Sequence, residues 1–360
     1  MHLFLALRKA ARPCPPLIFT LGITALPFIL RSIMCTQPIQ FLHDWDDGVN
    51  YVFNPLFRHA SNTTAVLTIL SDVWDISASG VVLGVWEPVA LSIKIIFAFL
   101  LSSSRAPAFS AFASCIHVAN TVLLQTLTAN FLLRVLKRQR HVCSASWAAA
   151  LASALWSVHP HRTEATGWLS CLPYLLAGLF ALFSTLCYLL VASKCCSRIW
   201  SAILNVLVRV FYAAAALCKA PALALPLAFL PLDVTIFFFK GEKGEILARN
   251  KTRFQRIVDY LSLVTTTILK NADLLLIMIG FAAWAHIANT VNNSQFVGNT
   301  DTIVVESNED WWKKIHENQY LWSGELLNWK IIVLKAFASS SWYMSRIIWP
   351  YGLAMICEIA

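Results

Sequence analysis

The stretch "HPHRTEATGWLSCLPYLLAGLFALFSTLCYLLVASK", residues 159–194, joins a short polar segment to a long apolar one. Residues 171–193 include no charged side chain, whereas Arg162 and Glu164 precede them and Lys194 follows them. At 1.5 Å per residue, a helix over this run is long enough to cross a bilayer core of roughly 30 Å. The pattern therefore predicts a membrane span with a polar turn at one end and a basic end at the other.

The composition extends this prediction to the whole chain. Of 360 residues, 58% are hydrophobic and only 13% are charged, and the mean hydropathy is +0.63. Soluble domains carry about twice that share of charge, so a soluble enzyme is excluded. Several further apolar runs are long enough to span a bilayer. We predict an all-α, polytopic membrane helix bundle with about 8 hydrophobic helices.

The net charge of +9 is concentrated between the apolar runs, which is unlike a nucleic-acid-binding surface. The basic clusters are Arg8, Lys9 and Arg12, then Lys137, Arg138 and Arg140, then Lys194 and Arg198, then the region from Lys240 to Arg256. The positive-inside rule places such clusters in the cytosol. The loop 35–110 and the polar segment 290–328 are then luminal, in a multi-pass protein of the endoplasmic reticulum membrane.

The predicted spans follow from the apolar runs and this charge pattern. They are 16–34, 111–136, 143–158, 171–193, two spans within 201–238 that fold back at 218–221, then 272–289 and 330–348. The run 81–103 contains Glu87, Pro88 and Lys94, which are costly in hydrocarbon, so it is predicted as a helix at the luminal surface. Arg209 is expected to extend its charged head to the interface.

Charged residues from three short loops collect on the predicted luminal face. They are Asp44, Asp46 and Asp47, then His159, Arg162 and Glu164, and finally Lys219. Asp46 and Asp47 favour a functional role, because adjacent carboxylates repel and loop solubility does not require them. The alternative for the others is ordinary interfacial polarity, in which Arg162 pairs with Glu164 and Lys219 snorkels. Sequons at Asn62 and Asn292 fall in predicted luminal segments and are candidate glycosylation sites, while a third, at Asn250, is predicted cytosolic.

Four motifs carry a resemblance to a known family. They are "DWDDGVNYVFNP" at 44–55, "IHVANTVLL" at 116–124, "VHPHRTEATGWLSCLPYLLAGLFALFSTLCYLL" at 158–190 and "LCKAPALALPLAFLPLD" at 217–233. In content and order they resemble the transmembrane O-mannosyltransferases with tetratricopeptide repeats, of the cadherin-targeting type. That family is similar to the GT-C glycosyltransferases. The chain resembles its N-terminal membrane part, 1–360, and the family continues into further spans and tetratricopeptide repeats that are absent here.

The resemblance implies transfer of mannose from dolichyl phosphate mannose to Ser or Thr hydroxyls of luminal or secreted acceptor proteins. Asp46 is the expected general base, and Asp47 is expected to position or tune the acceptor. Arg162 and Lys219 are expected to bind the donor phosphate, with His159 and Glu164 in support. Family members commonly carry Glu after the motif lysine, where this chain has Ala220. No metal is assigned, although the paired acids are potential ligands for a divalent cation.

Two other functions stay open at this point. The first is a catalytically inactive membrane fragment that binds partners, which would not need the tetratricopeptide repeats expected of the family. A transporter is less favoured, since it needs charges at mid-membrane depth and broken helices in matched halves, which the sequence does not show.

Overall fold

The computed structural model describes most of the chain up to residue 283. The described residues are 15–34, 39–41, 47–52, 63–74, 86–101, 106–136, 142–159, 161–192, 197–240 and 271–281, together with residues 255, 262, 265, 266, 268, 269 and 283. The predicted span 330–348 and the luminal segment 290–328 lie outside this part. Nearly all described residues are helical, and none of them lies in a strand.

Ten α-helices are described. In chain order they are α1 (Pro15–Met34), α2 (Thr63–Trp74), α3 (Pro88–Leu100), α4 (Ala106–Leu136), α5 (Val142–Ser157), α6 (His161–Gly167), α7 (Leu172–Ala192), α8 (Arg198–Cys218), α9 (Leu225–Lys240) and α10 (Ala272–Phe281). A π-helical turn covers Gly48–Val52, and 3₁₀ turns cover Leu169–Cys171 and Ala220–Ala224.

Three helices are long and apolar enough to cross a membrane, at Ala106–Leu133, Leu169–Ala192 and Arg198–Cys218. The other apolar helices in the described part are shorter. Each span predicted before residue 290 contains a described helix, and the surface run 81–103 contains α3. The prediction of an all-helical protein is confirmed in this part of the chain, and three of its helices could cross a membrane. The count of about eight hydrophobic helices stays a prediction.

Helix α5 packs closely against α1 and α4 because its buried positions are almost all Ala or Ser. Small side chains let helix backbones approach one another in a membrane, where hydroxyls also bond across helices. The Thr24 hydroxyl donates to Ser157 Oγ at 3.0 Å, joining α1 to the end of α5. The Ser157 carbonyl lies 3.0 Å from His117 Nε2 on α4, which joins the third helix.

The chain reverses between α8 and α9 as predicted for 218–221. Lys219 has extended backbone, with φ −161° and ψ 131°, and Pro221 lies in the first turn of the 3₁₀ helix that follows. Proline suits that position because its missing N–H would have no intrahelical acceptor. The reversal therefore ends α8 at Cys218 and leaves the Lys219 side chain at the tip of the hairpin.

An aromatic cluster fixes the segment after α1 to the rest of the bundle. Tyr51 stacks on Phe41 at 4.9 Å between ring centroids and contacts Phe109 at 4.9 Å. Phe97 of α3 also contacts Phe109, at 5.3 Å between ring centroids. Aromatic pairs at such distances add to the stabilisation from burial. The cluster thus places residues 47–52, the described part of the acidic segment 44–52, beside α3, α4 and the start of α7.

Candidate functional site

The acidic segment is tied to the turn that precedes α7. Asp47 is 1% exposed, and its Oδ1 accepts hydrogen bonds from the Ser170 N–H at 2.9 Å and the Ser170 hydroxyl at 2.5 Å. Asn50 donates to Ser170 Oγ at 3.2 Å, and the Tyr51 hydroxyl donates to the Leu169 carbonyl at 2.7 Å. Four hydrogen bonds therefore join residues 47–51 to residues 169–170, which lie more than a hundred positions later.

A buried lysine of α3 lies over this anchored segment. Lys94 is 1% exposed, and its Nζ is 4.4 Å from the centre of the Tyr51 ring. Burial lowers the pKa of Lys94 to about 8, and Glu87 and Asp47 oppose that change because they stabilise the ammonium. Burial, followed by the nearby Asp47 carboxylate, raises the pKa of Tyr51 well above its usual value. Tyr51 therefore stays protonated and can serve as a hydrogen-bond donor and a cation-binding face.

The tip of the α8–α9 hairpin reaches the same place. Lys219 Nζ forms a hydrogen-bonded ion pair with Glu87, the residue that precedes α3. The pair is largely buried, with side-chain exposures of 21% for Lys219 and 11% for Glu87. Lys219 also lies 4.8 Å from the centre of the Tyr174 ring on α7. Two lysines and two carboxylates from three segments therefore form one cluster, which we call the Lys94–Lys219 cluster: Asp47, Glu87, Lys94 and Lys219.

Arg162 lies on a column of stacked rings. Its guanidinium carbon is 4.4 Å from the centre of the Trp156 ring, and the His117 ring stacks on Trp156 at 5.5 Å. Burial lowers the pKa of Arg162. Arg162 Nε is buried and has no hydrogen-bond partner among the described residues. The arginine is thus held by stacking and retains a donor for another group.

The structure describes some of the predicted site residues and not others. Asp47, Arg162 and Lys219 are described with their contacts, and the His159 carbonyl accepts the Arg162 N–H at 2.7 Å at the start of α6. Glu164 lies in α6, but its side chain is outside the described part. Asp46 and the candidate glycosylation sites Asn62 and Asn292 lie outside the described residues altogether. No described contact joins Arg162 to Lys219.

Sequence reasoning left Glu87 and Lys94 out of the site. The sequence indicated both only as costly charges in an apolar run, and charges of this kind are candidates for functional positions. Their partners, Lys219, Asp47 and Tyr51, come from distant segments. Lys219 has its carboxylate partner in Glu87, the residue that precedes α3, and the residue after Lys219 is Ala220.

A second polar network lies among the helices α7 to α10. The Tyr188 hydroxyl donates to Asp233 at 2.7 Å and accepts from Asn271 Nδ2 at 3.1 Å. Arg209 forms a hydrogen-bonded ion pair with Asp273, and the expectation that Arg209 extends to the interface stays a prediction. Asp233 accepts a hydrogen bond from Tyr188, and Asp273 is neutralised by Arg209. These partners favour a role in helix association over a role in an ion path.

Comparison with known proteins finds no match: no family model, no curated protein and no solved structure is similar to this chain. The described residues contain no group of three His, Cys, Asp or Glu side chains arranged to hold a metal ion. The cationic groups of the candidate site are Lys94, Lys219 and Arg162.

Proposed function

We propose that this protein is a membrane glycosyltransferase that transfers mannose from a dolichyl-phosphate-linked donor to Ser or Thr hydroxyls. The supporting observation is the Lys94–Lys219 cluster. It joins the acidic segment that follows α1 to the turn before α7 and to the tip of the α8–α9 hairpin. Three of the four motifs that carry the family resemblance therefore meet at one end of the bundle.

The chemistry needs one base and a set of cations. The acceptor hydroxyl oxygen attacks the anomeric carbon of mannose, and the bond from that carbon to the phosphate oxygen breaks. The phosphate leaves with the bonding electrons as dolichyl phosphate, and the hydroxyl proton passes to a carboxylate. Fixed cations stabilise the charge that develops on the phosphate, and they act strongly where water is excluded.

The contacts of Asp47 support a division of roles between the two acids. Asp47 Oδ1 already accepts two hydrogen bonds from Ser170, so this carboxylate holds the segment in place. We propose Asp46 as the general base that this anchor positions, and Lys219 with Arg162 as the groups that bind the phosphate. An arginine with an unused Nε–H is suited to a phosphate oxygen.

The experiment is mannose transfer from dolichyl phosphate mannose to a Ser/Thr peptide by the full chain in nanodiscs. Asp46→Asn keeps the side-chain size and removes the base, so the rate is expected to fall by about 10²-fold or more. Asp72→Asn is the matched control, because Asp72 is an exposed carboxylate of α2. Full activity of Asp46→Asn would remove the base assignment, and wild-type protein without transfer would overturn the proposed function.

The topology has a separate test. Glycosylation acceptors inserted near residues 78 and 139 report which side of the membrane each loop faces. The positive-inside rule predicts modification near 78 and none near 139. The reverse pattern would place the whole cluster on the cytosolic side, where a luminal acceptor cannot reach it.

A further inference from the structure

The carboxylate of Glu87 lies where an anion would bind. Glu87 is the residue before the first turn of α3, but its side chain forms no cap hydrogen bond there. It turns instead to Lys219, the residue that the proposed function assigns to the donor phosphate. A carboxylate and a phosphate compete for the same ammonium donors, because both are compact oxyanions.

Lys94 adds a second buried cation beside this pair. It is 1% exposed, and its Nζ lies 4.4 Å from the centre of the Tyr51 ring. A buried ammonium group carries three N–H donors. Glu87, Asp47 and Lys219 are the charged groups that act on it most strongly. The cluster therefore has cationic donors available for a further oxyanion.

The charges of the cluster limit how a phosphate can enter. Asp47 and Glu87 balance Lys94 and Lys219, so a phosphodiester added to the intact cluster would introduce an uncompensated negative charge. Release of Glu87 from Lys219 frees one cation for the incoming phosphate. The released carboxylate has another partner nearby, because the first N–H groups of α3 lack side-chain capping and attract negative charge.

We propose that Glu87 is a placeholder ligand, whose carboxylate occupies Lys219 in the free protein and is exchanged for the phosphate of the lipid donor. The phosphate then binds Lys219, as in the proposed function, and Lys94 is a further cation that contacts it beside Arg162. This inference rests on the proposed function for the identity of the ligand, which is a phosphate-headed polyisoprenoid lipid. If Glu87 is a placeholder, its removal improves ligand binding. If the Glu87–Lys219 pair is only structural, its removal does not improve binding.

The test is a titration of the purified full chain in nanodiscs with dolichyl phosphate, with dolichol as the probe that lacks phosphate. Glu87→Gln weakens the competing contact, so the Kd for dolichyl phosphate is expected to fall by about threefold or more. Lys94→Met is expected to raise that Kd by about tenfold. Asp72→Asn, which removes an exposed carboxylate elsewhere, is expected to leave Kd unchanged.

Glu87→Asp is the second variant, in case Glu87→Gln does not fold. It keeps the charge but withdraws the carboxylate by one methylene group, so it is also expected to lower Kd. Unchanged or weaker binding of dolichyl phosphate by the folded Glu87 variants would overturn the proposal. Binding that tightens equally for dolichol, or is absent from every protein, would overturn it as well.

Transfer activity separates this inference from the proposed function. Tighter phosphate-lipid binding by Glu87→Gln without mannose transfer by any protein supports the placeholder and refutes the transferase. Asp46-dependent transfer with an unimproved donor KM in Glu87→Gln supports the transferase and refutes the placeholder.

Discussion

Replacing Asp47 by Asn tests whether this carboxylate is an anchor or a base. In the native protein Oδ1 of Asp47 accepts both the Ser170 N–H and the Ser170 hydroxyl. An asparagine oxygen can accept the same two bonds, but as a neutral group. Hydrogen bonds to charged groups contribute about 1.5–3 kcal/mol and neutral ones about 0.5–1.5 kcal/mol. The expected loss is therefore about 1 kcal/mol per bond, or about 2 kcal/mol in total.

Asp47→Ala removes both bonds and leaves the Ser170 hydroxyl without its acceptor. The expected loss of unfolding free energy is then about 3–6 kcal/mol, from two charge-assisted bonds. The measurement is the thermal midpoint in nanodiscs, taken together with the mannose-transfer rate for each variant. Asp47→Asn should keep measurable transfer, whereas Asp46→Asn should lose about 10²-fold.

Opposite results for the two variants would exchange the roles of Asp46 and Asp47. Abolished transfer in Asp47→Asn with an unchanged midpoint, beside an active Asp46→Asn, would make Asp47 the base and remove its anchoring role. Equal destabilisation by Asp47→Asn and Asp47→Ala would show that the charge, and not the hydrogen-bond geometry, holds the segment.

Three further predictions address other parts of the protein. Arg162→Ala should weaken donor use by about 10- to 100-fold, and Arg162→Lys should restore only part of it, as measured by donor saturation at fixed acceptor. A lysine with a pKa of about 8 is charged below that pH, so kcat/KM for the donor should fall by about tenfold per pH unit above 8. That fall should be absent up to pH 10 in Lys94→Arg, and identical profiles would exclude Lys94 from donor binding. A double-mutant cycle on Arg209→Ala and Asp273→Ala should give a coupling free energy of about 1 kcal/mol in unfolding, and zero coupling would contradict the ion pair.

The sequence predicted local features of the fold well. The hairpin at 218–221 was predictable because a lysine–alanine–proline reversal inside a double-length apolar run leaves few alternatives. The span 171–193 was predictable for the same kind of reason, since an uncharged run of that length has one low-energy arrangement in a bilayer. Such features depend on neighbouring residues and on the bilayer as solvent.

The contacts of the candidate site were less accessible to sequence reasoning. Glu87 pairs with a lysine 132 positions later, and Asp47 bonds to a serine 123 positions later. Nothing in local periodicity specifies which polar residues of different loops meet. Arg209 shows the same difficulty, because its partner Asp273 lies 64 positions later.

The Arg209–Asp273 pair has a consequence for how the protein is made. Arg209 belongs to a helix that is long and apolar enough to cross a membrane, and it is synthesised before Asp273, which lies 64 positions later. A lone arginine within a span costs at least about 2.5 kcal/mol, so α8 would cross a membrane less favourably before its partner is present. Helix α10, which is synthesised later, supplies the carboxylate. If α8 crosses a membrane, a nascent chain shorter than 273 residues therefore holds this charge unmatched, and a longer one does not.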